Sequence, residues 1–529
     1  MNKLQKAETV WDLARQGPAE SVGAGQEAGN QNQNKAKKNN MKPNLLILAT
    51  VAGVLFVFPV QAADDAATNS TEAAEIETLK QQIQELDQKV QALERQRESE
   101  HQAAADTNQA QIQELDQKVR ILERQRELDQ EDAVATAKTQ PRLKLDASGF
   151  TLSSADTNFA ISLHGQLQLD SRTFFADHNI VNDGFLLRRA RPIITGTVFH
   201  DFDFNFTPDF GGSTVQIMDA YLNYRYNPEL QLEAGKFKSP VGLEQLQSDA
   251  FLLFNERSLV TDLVPNRDLG VELHGDLFGG AASYAAGIVN GAPDYNGTTV
   301  NSDSDNDKAF AGRLFFQPWK TTGVDWLQGL GFGVGGSYES DRNGAAGLTP
   351  GYTTDGQQKF FAYTNGVVAN GQHWRVSPQG YYYYGPLGIL GEYVVSDQDV
   401  KNGAALADLQ NTAWEVSASW VLTGEDASYN GVTPCHPFNP WAGGWGAWQV
   451  VGRYEELNVD QSAFPTFASS TASASSAHAW SAGLNWYLNR NIRVNASFSH
   501  TMFSDYTGTV PAVPAQSENV FFTRIQLAF

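Results

Sequence analysis

The chain has 529 residues, a net charge of −22, 46 Gly and one Cys. The acidic balance argues against nucleic acid as a partner, since a phosphate backbone repels it, and a single cysteine excludes an internal disulfide. A mean hydropathy of −0.37 with 41% apolar residues excludes a helical multi-span membrane protein. It leaves open a transmembrane β-barrel, whose strands alternate and never show a long apolar run.

Residues 1–40 are polar, rich in Asn, Gln and Lys, and lack periodicity. They read as a disordered or untranslated leader, with Met41 as a start. Lys42 then precedes the apolar run Leu45 to Val60, followed by Gln61-Ala62-Ala63. A basic flank, an apolar run and a small-residue cleavage site are the three parts of a secretory signal, assigned here to 41–63. The run is short for a bilayer span of about 20 residues.

A helical segment is expected over 64–130. Ile76, Leu79, Ile83, Leu86, Val90 and Leu93 follow the 3–4 spacing of a heptad seam, with Ile or Val at a and Leu at d. The unit IQELDQKVQALERQRE (83–98) recurs as IQELDQKVRILERQRE (112–127). In heptad terms the two seams are out of register by one residue, which predicts a break across the Ala- and Gln-rich stretch between them. Two near-identical seams point to a self-associating coiled coil, and Ile at a with Leu at d leans locally towards two strands. A polar linker with Pro141 is expected over 131–157.

From 158 to 529 the pattern is period two. Phe159, Ile161, Leu163, Leu167 and Leu169 share one parity; Trp414, Val416 and Trp420 alternate with Glu415, Ser417 and Ser419; Ile492, Val494 and Phe498 alternate with Arg493, Asn495 and Ser497. About 16 such strands fit, joined by alternating short turns and long loops. Aromatic residues at strand ends, Tyr381–Tyr384 and Trp441, Trp445 and Trp448, read as interfacial girdles. A soluble solenoid would show a short repeat, and a sandwich of this length a linker; neither is found. The expected fold is all-β, a 16-stranded antiparallel transmembrane barrel preceded by an α-helical coiled coil.

The stretch FLLRRARPIITGTVFHDFDFNF (185–206) carries the candidate pore residues. Arg188, Arg189 and Arg191 are costly in an apolar strand unless they face water or a ligand, so they are assigned to the pore wall. Asp201 and Asp203 fall on the parity opposite Phe202, Phe204 and Phe206 and are placed with them in the lumen. The connection Ser239–Arg267 is far longer than a turn and partly apolar, which predicts a loop folded into the lumen against Arg188 and Arg189. Asp303, Asp305 and Asp307 have the spacing of a calcium loop but lack its glycine and closing glutamate, so no metal is assigned. Asn296-Gly297-Thr298 matches a sequon that means little beside a bacterial-type signal. Cys435 has no His and Asp arrangement near it, and no zinc helix, P-loop or serine elbow occurs; no catalytic residue and no cofactor are assigned.

Longer motifs carry a resemblance. GFLLRRARPIITGTVFHDFDFNF, DAYLNYR (219–225), GKFKSPVGLE (235–244), NERSL (255–259), LTGE (422–425), FNPWAGGWGAWQVVGRYEEL (438–457) and LNWYLN (484–489) resemble the phosphate-selective porin O and P family, across 158–529. The resemblance implies a trimer of 16-stranded outer-membrane barrels passing small solutes by diffusion, some members selecting anions such as phosphate. It also implies a constriction using Arg188 and Arg189, and simple alternation cannot point both inwards without a bulge or a strand end. Phosphate-selective members place a lysine directly after G-L-E, where this chain has Gln245, and lysines after L-T-G-E, where it has Asn430 and Asn439. They also carry an arginine ladder toward the mouth, where this chain has only Arg342 after Gly336.

The expected function is a passive outer-membrane porin with self, outer-membrane lipid and lipopolysaccharide, and small hydrophilic solutes or anions as partners. The alternatives are an envelope anchor whose periplasmic coiled coil tethers peptidoglycan, and a barrel enzyme.

Overall fold

The computed structural model describes residues 71–529 except 138, 176–181, 213, 295–305, 342–350 and 505–516. The leader, the signal segment and residues 64–70 lie outside the described residues. So do Asn296-Gly297-Thr298, Asp303, Asp305 and Arg342.

Helix α1 (Thr71–Ala137) is continuous over 67 residues. The break expected between the seams is absent. In a straight α-helix each residue turns about 100°, so an offset of 29 residues brings the second seam back to within about 20° of the first. A heptad count sees a slip where the undistorted helix sees one stripe. The Ala- and Gln-rich stretch favours helix by propensity and gives it no reason to stop. The seam residues Ile76, Leu79, Ile83, Leu86, Val90, Leu93, Ile112, Leu115, Val119 and Leu122 stand 45–66% exposed.

The expected linker is also largely structured. The helix continues to Ala137, and a hairpin follows, β1 (Arg142–Asp146) against β2 (Gly149–Ser153). Its turn works because Asp146 accepts the Ser148 N–H at 2.8 Å and Gly149 takes φ 113°. β2 then pairs with the first barrel strand, Phe150 opposite Leu163.

That barrel strand is β3 (Ala160–Phe174). After it come β4 (Gly184–Val198), β5 (Phe202–Asp209), β6 (Gln216–Asn227), β7 (Leu230–Lys238), β8 (Arg267–Leu277) and β9 (Ala282–Val289). Next are β10 (Ala309–Phe316) and β11 (Leu330–Asp341), then a small ribbon of β12 (Tyr352–Thr353) and β13 (Lys359–Phe361) outside the barrel sheet. β14 (Val367–Tyr384), β15 (Leu387–Asn402), β16 (Ala405–Val421), β17 (Ala447–Asn458), β18 (Ser476–Tyr487), β19 (Ile492–Ser504) and β20 (Ser517–Ala528) complete the circuit. Apart from the hairpin and the ribbon, 16 strands pair antiparallel with their neighbours, and β20 returns to β3 to close the barrel. At the seam Gly165 and Phe529 exchange two backbone hydrogen bonds of 3.0 Å. A Cβ on Gly165 would lie 2.7 Å from the Phe529 ring, so glycine is what lets the terminal residue seal there.

The burial is inverted relative to a soluble protein. Along β19 the polar Arg493, Asn495, Ser497, Ser499 and Thr501 are buried, while Ile492, Val494 and Phe498 are only half-buried. Leu163, Leu167, Val271, Val416 and Ile525 stand 44–59% exposed on the outside. Alternation forces the two faces apart, and only a lipid exterior with a polar lumen makes that arrangement stable. The end carrying Phe529 has mainly short turns (199–201, 228–229, 385–386, 488–491), and the opposite end mainly longer loops. One half of the expected girdle turns inwards instead: Tyr381 and Tyr383 join Phe315 and Tyr429 in an internal aromatic cluster. Trp441, in contrast, is 98% exposed, and Trp448 stacks on Trp486 at 4.9 Å.

Candidate pore constriction

Three long segments fill much of the lumen. The 239–266 loop contributes helix α2 (Leu243–Leu246) and a 3-10 turn, Leu259–Leu263, and almost all of it is buried. Its apolar side packs against the far wall, where Leu259, Val260, Leu263 and Val264 join Val394, Leu409 and Leu457. Buried wall carboxylates catch its backbone: Glu392 accepts from the Leu243 and Glu244 N–H groups at 2.8 and 3.1 Å, and Glu455 from Leu259 N–H at 2.7 Å. The 351–366 segment enters beside it, with Asp355 accepting two bonds of 2.8 Å from Arg453. From the Phe529 end, the 422–446 segment reaches up until the Tyr429 hydroxyl donates to Leu243 O at 2.6 Å.

The remaining space follows the β3–β8 wall. A cavity of about 820 Å³ at the long-loop end is lined by Arg188, Arg189, Arg191, Asp249, Glu256 and Arg267 among others. Below it lies a cavity of about 110 Å³ that shares Arg191, Asp249 and Arg267 with the first. A third, of about 300 Å³, shares Gln166, Ile193 and Ser248 with the second and opens beside Phe529. The narrow middle space therefore sits between the β4–β7 wall and residues 246–249 of the loop.

The local reason the arginines converge is a bulge. Gln168 pairs with Arg189 and Leu169 with Leu187, which leaves Arg188 as the extra residue in β4. The loop after β5 caps this irregularity. Asp209 accepts from Ala190 N–H at 3.0 Å, Phe210 N–H donates to Ala190 O at 2.9 Å, and Gly212 N–H donates to Leu187 O at 3.1 Å. A Cβ on Gly211 would come within 2.7 Å of Arg188 O, so the cap needs glycine at that point.

Each arginine meets a carboxylate. Arg188 grips Glu256 with Nε and Nη2 at 2.7 and 3.0 Å, and Arg172 reaches the same carboxylate at 3.1 Å. Arg524 lies 3.6 Å from it while making two bonds of 2.6 and 2.7 Å to Asp170. Arg189 donates to Gln168 at 2.7 Å and lies 3.3 Å from Asp249. Arg191 donates to Asp209 at 2.6 Å and to Asp249, and Arg257 donates to Asp249 from the loop itself. Burial by itself raises both loop carboxyls. Around Glu256 the Arg188 charge and hydrogen bonds outweigh it, and around Asp249 the charges of Arg189, Arg257 and Arg191 do so; both are held well below the usual carboxylate range. Asp262 lacks such partners, and burial pushes its carboxyl well above that range.

The other candidates lie elsewhere. Asp201 is half-exposed in the 199–201 turn, paired with His200 at 2.9 Å. Asp203 accepts from Arg225 and Thr197 near the same turn. At about 3.3 Å per residue, nine residues of β4 separate Thr197 from Arg188, so neither aspartate reaches the arginine cluster. Alternation along the sequence carries no information on height, which is what separates them from the arginines. Gln245 is fully buried inside the loop, donating to Asn266, and lines none of the three cavities. Asn430 lines the cavity beside Phe529. The partners Asp249, Glu256, Asp209 and Arg257 were not singled out from sequence. The one available signal was charge inside the partly apolar 239–266 loop, which a buried loop carries only if that charge is matched.

A family model described as phosphate-selective porin O and P matches residues 161–529. Porin O of Pseudomonas aeruginosa is 24% identical over 381 residues, covering 66% of this chain and 84% of that protein. Among solved structures, the outer membrane channel DcaP of Acinetobacter baumannii aligns at 11% identity and TM-score 0.47, covering 70% of this chain and 98% of that one. The outer-membrane expressed OmpT of Vibrio cholerae aligns at 14% identity and TM-score 0.45, covering 70% and 98%.

Proposed function

The chain belongs to the phosphate-selective porin O and P family, and from that premise we propose that it passes small hydrophilic solutes, anions among them, with weak charge selectivity through an eyelet centred on Arg191 and Asp249. It is an outer-membrane porin and not an enzyme. The observation that supports the finer reading is the pairing itself. Arg188, Arg189 and Arg191 stand on one wall, and the loop presents Glu256 and Asp249 to them. Facing rows of opposite charge set a field across the eyelet but leave little net charge along it, so neither ion sign gains much. The test is planar-bilayer recording of the purified protein. Discrete conductance steps with a reversal potential near zero across a KCl gradient are expected. Absence of steps would sink the channel reading, and strong anion preference would sink the weak selectivity.

A homotrimer is the assembly proposed, with α1 self-associating on the periplasmic side. The in-line exposed seam of α1 favours a second role beside transport, a tether. At 1.5 Å per residue its 67 residues span about 100 Å, enough to approach peptidoglycan. Sedimentation with isolated sacculi tests this: equal recovery of the intact protein and of protein lacking residues 64–135 would refute the tether.

A further inference from the structure

We infer that the carboxylate of Asp249 occupies a built anion seat in the eyelet, and that this residue, by filling the seat, is what keeps the channel from binding small oxyanions. The inference rests on the channel reading above. Asp249 is 4% exposed and meets three guanidiniums, from Arg189, Arg191 and Arg257. Charge-assisted bonds from planar guanidiniums to a carboxylate are the same bonds they would make to an inorganic phosphate or a free carboxylate. The side chain therefore sits where a diffusing anion would be held.

Two features make this a seat and not an ordinary ion pair. First, it lies on the path. Asp249 and Arg191 line both the cavity of about 820 Å³ and the cavity of about 110 Å³ beneath it, so a solute passing from one to the other must pass them. Second, each arginine is held by something besides Asp249. Arg191 donates to Asp209 at 2.6 Å, and Arg189 to Gln168 at 2.7 Å. Arg257 donates to Glu244 O and Gln247 O at 3.1 and 2.8 Å. The three cations stay in place without the aspartate. Once it is neutralised, the carboxylate still paired with one of them is Asp209, on Arg191, and the site carries net positive charge facing water.

The test compares wild type with Asp249→Asn, which keeps the volume, and Asp249→Ser, which empties the site. Barrels are first shown to be folded by heat-modifiable migration on gels. Single-channel chloride conductance is then read against added inorganic phosphate, together with the reversal potential in a KCl gradient. Wild type is expected to conduct in proportion to KCl and to be insensitive to phosphate. In folded variants the phosphate concentration that halves the current should fall about tenfold or more, with a shift of reversal potential towards anions. Variants that match wild type in both readings overturn the inference. So does a larger, noisier conductance without phosphate block, which would make Asp249 a strut that merely holds the loop. A wild type with no conductance steps at all is a different failure, that of the channel reading itself.

Discussion

Glu392 on β15 is the most direct test of how the loop that walls the eyelet is held. Its carboxylate accepts from Leu243 N–H at 2.8 Å, Glu244 N–H at 3.1 Å and Ser377 Oγ–H at 2.6 Å, all buried. Hydrogen bonds to a charged acceptor are worth about 1.5–3 kcal/mol each, and the lower end suits donors that water can partly reach after the loop lifts. The Ser377 bond stays within the wall, on neighbouring β14, so the two that tie the loop amount to about 3 kcal/mol, or about two decades in the ratio of docked to undocked loop. Glu392→Ala removes all three acceptor contacts, while Glu392→Gln keeps one acceptor oxygen and should fall between. The expected result in planar bilayers is a larger and noisier single-channel conductance for the alanine variant, with an intermediate trace for glutamine. Glu455, which holds Leu259 N–H, is a second and independent anchor, so the double variant should widen the distribution further. An alanine variant with wild-type conductance and noise would refute the argument, because the loop would then be held by its apolar packing alone.

Replacing Arg188 and Arg189 together by Ala should move the reversal potential towards cations, since Glu256 and Asp249 lose guanidinium partners and retain their charge; an unchanged potential removes the pair from the pore. The depressed carboxyls of Glu256 and Asp249 have a definite pH sign: their ties are complete above ordinary carboxylate values and are lost only as pH falls through the lowered ones. Charge selectivity should therefore hold constant from about pH 8 to about pH 5, and a change within that window in recordings at stepped pH counts against the pairing. Asp262 has the opposite sign, because burial raises it and its ionisation costs stability as pH rises from about 4 through the raised value. Asp262→Asn still accepts from Thr353 N–H and should be neutral or stabilising by about 1–2 kcal/mol near pH 8 in thermal unfolding; a clear loss would show that the charge is needed. Mass measurement in detergent should give a trimer for the intact protein, and one that persists without residues 64–135 if the barrels set the number; a dimer defeats the assembly.

Much of the barrel was legible because its physics is local. A strand exposed to lipid on one face and water on the other must alternate, and β16, β18 and β19 do so residue by residue. The three arginines of β4 were legible for the same reason, as charge in a strand that otherwise faces lipid. Parity also required a bulge or a strand end there, and the structure uses a bulge with Arg188 as its extra residue. Height along the barrel was not legible. Asp203 sits at the turn end of β5 and Asp201 in the turn itself, because parity assigns a side chain's face and says nothing of how far along the strand the loops descend.

By itself the sequence determined the class: inverted alternation, a long internal loop, and basic side chains set into the wall. It also held the in-line stripe of α1, hidden by a heptad count and plain in a helix of 3.6 residues per turn. Only the tertiary structure decided which carboxylates those arginines meet. Asp249 and Glu256 lie 58 and 68 residues beyond Arg191 and Arg188, in a loop whose fold has no period to read. Their positions come from long-range packing against Glu392 and Glu455 on the opposite wall. Pairings of that kind depend on where a buried segment comes to rest, and charge, unlike alternation, leaves no trace of its partner in the neighbouring residues.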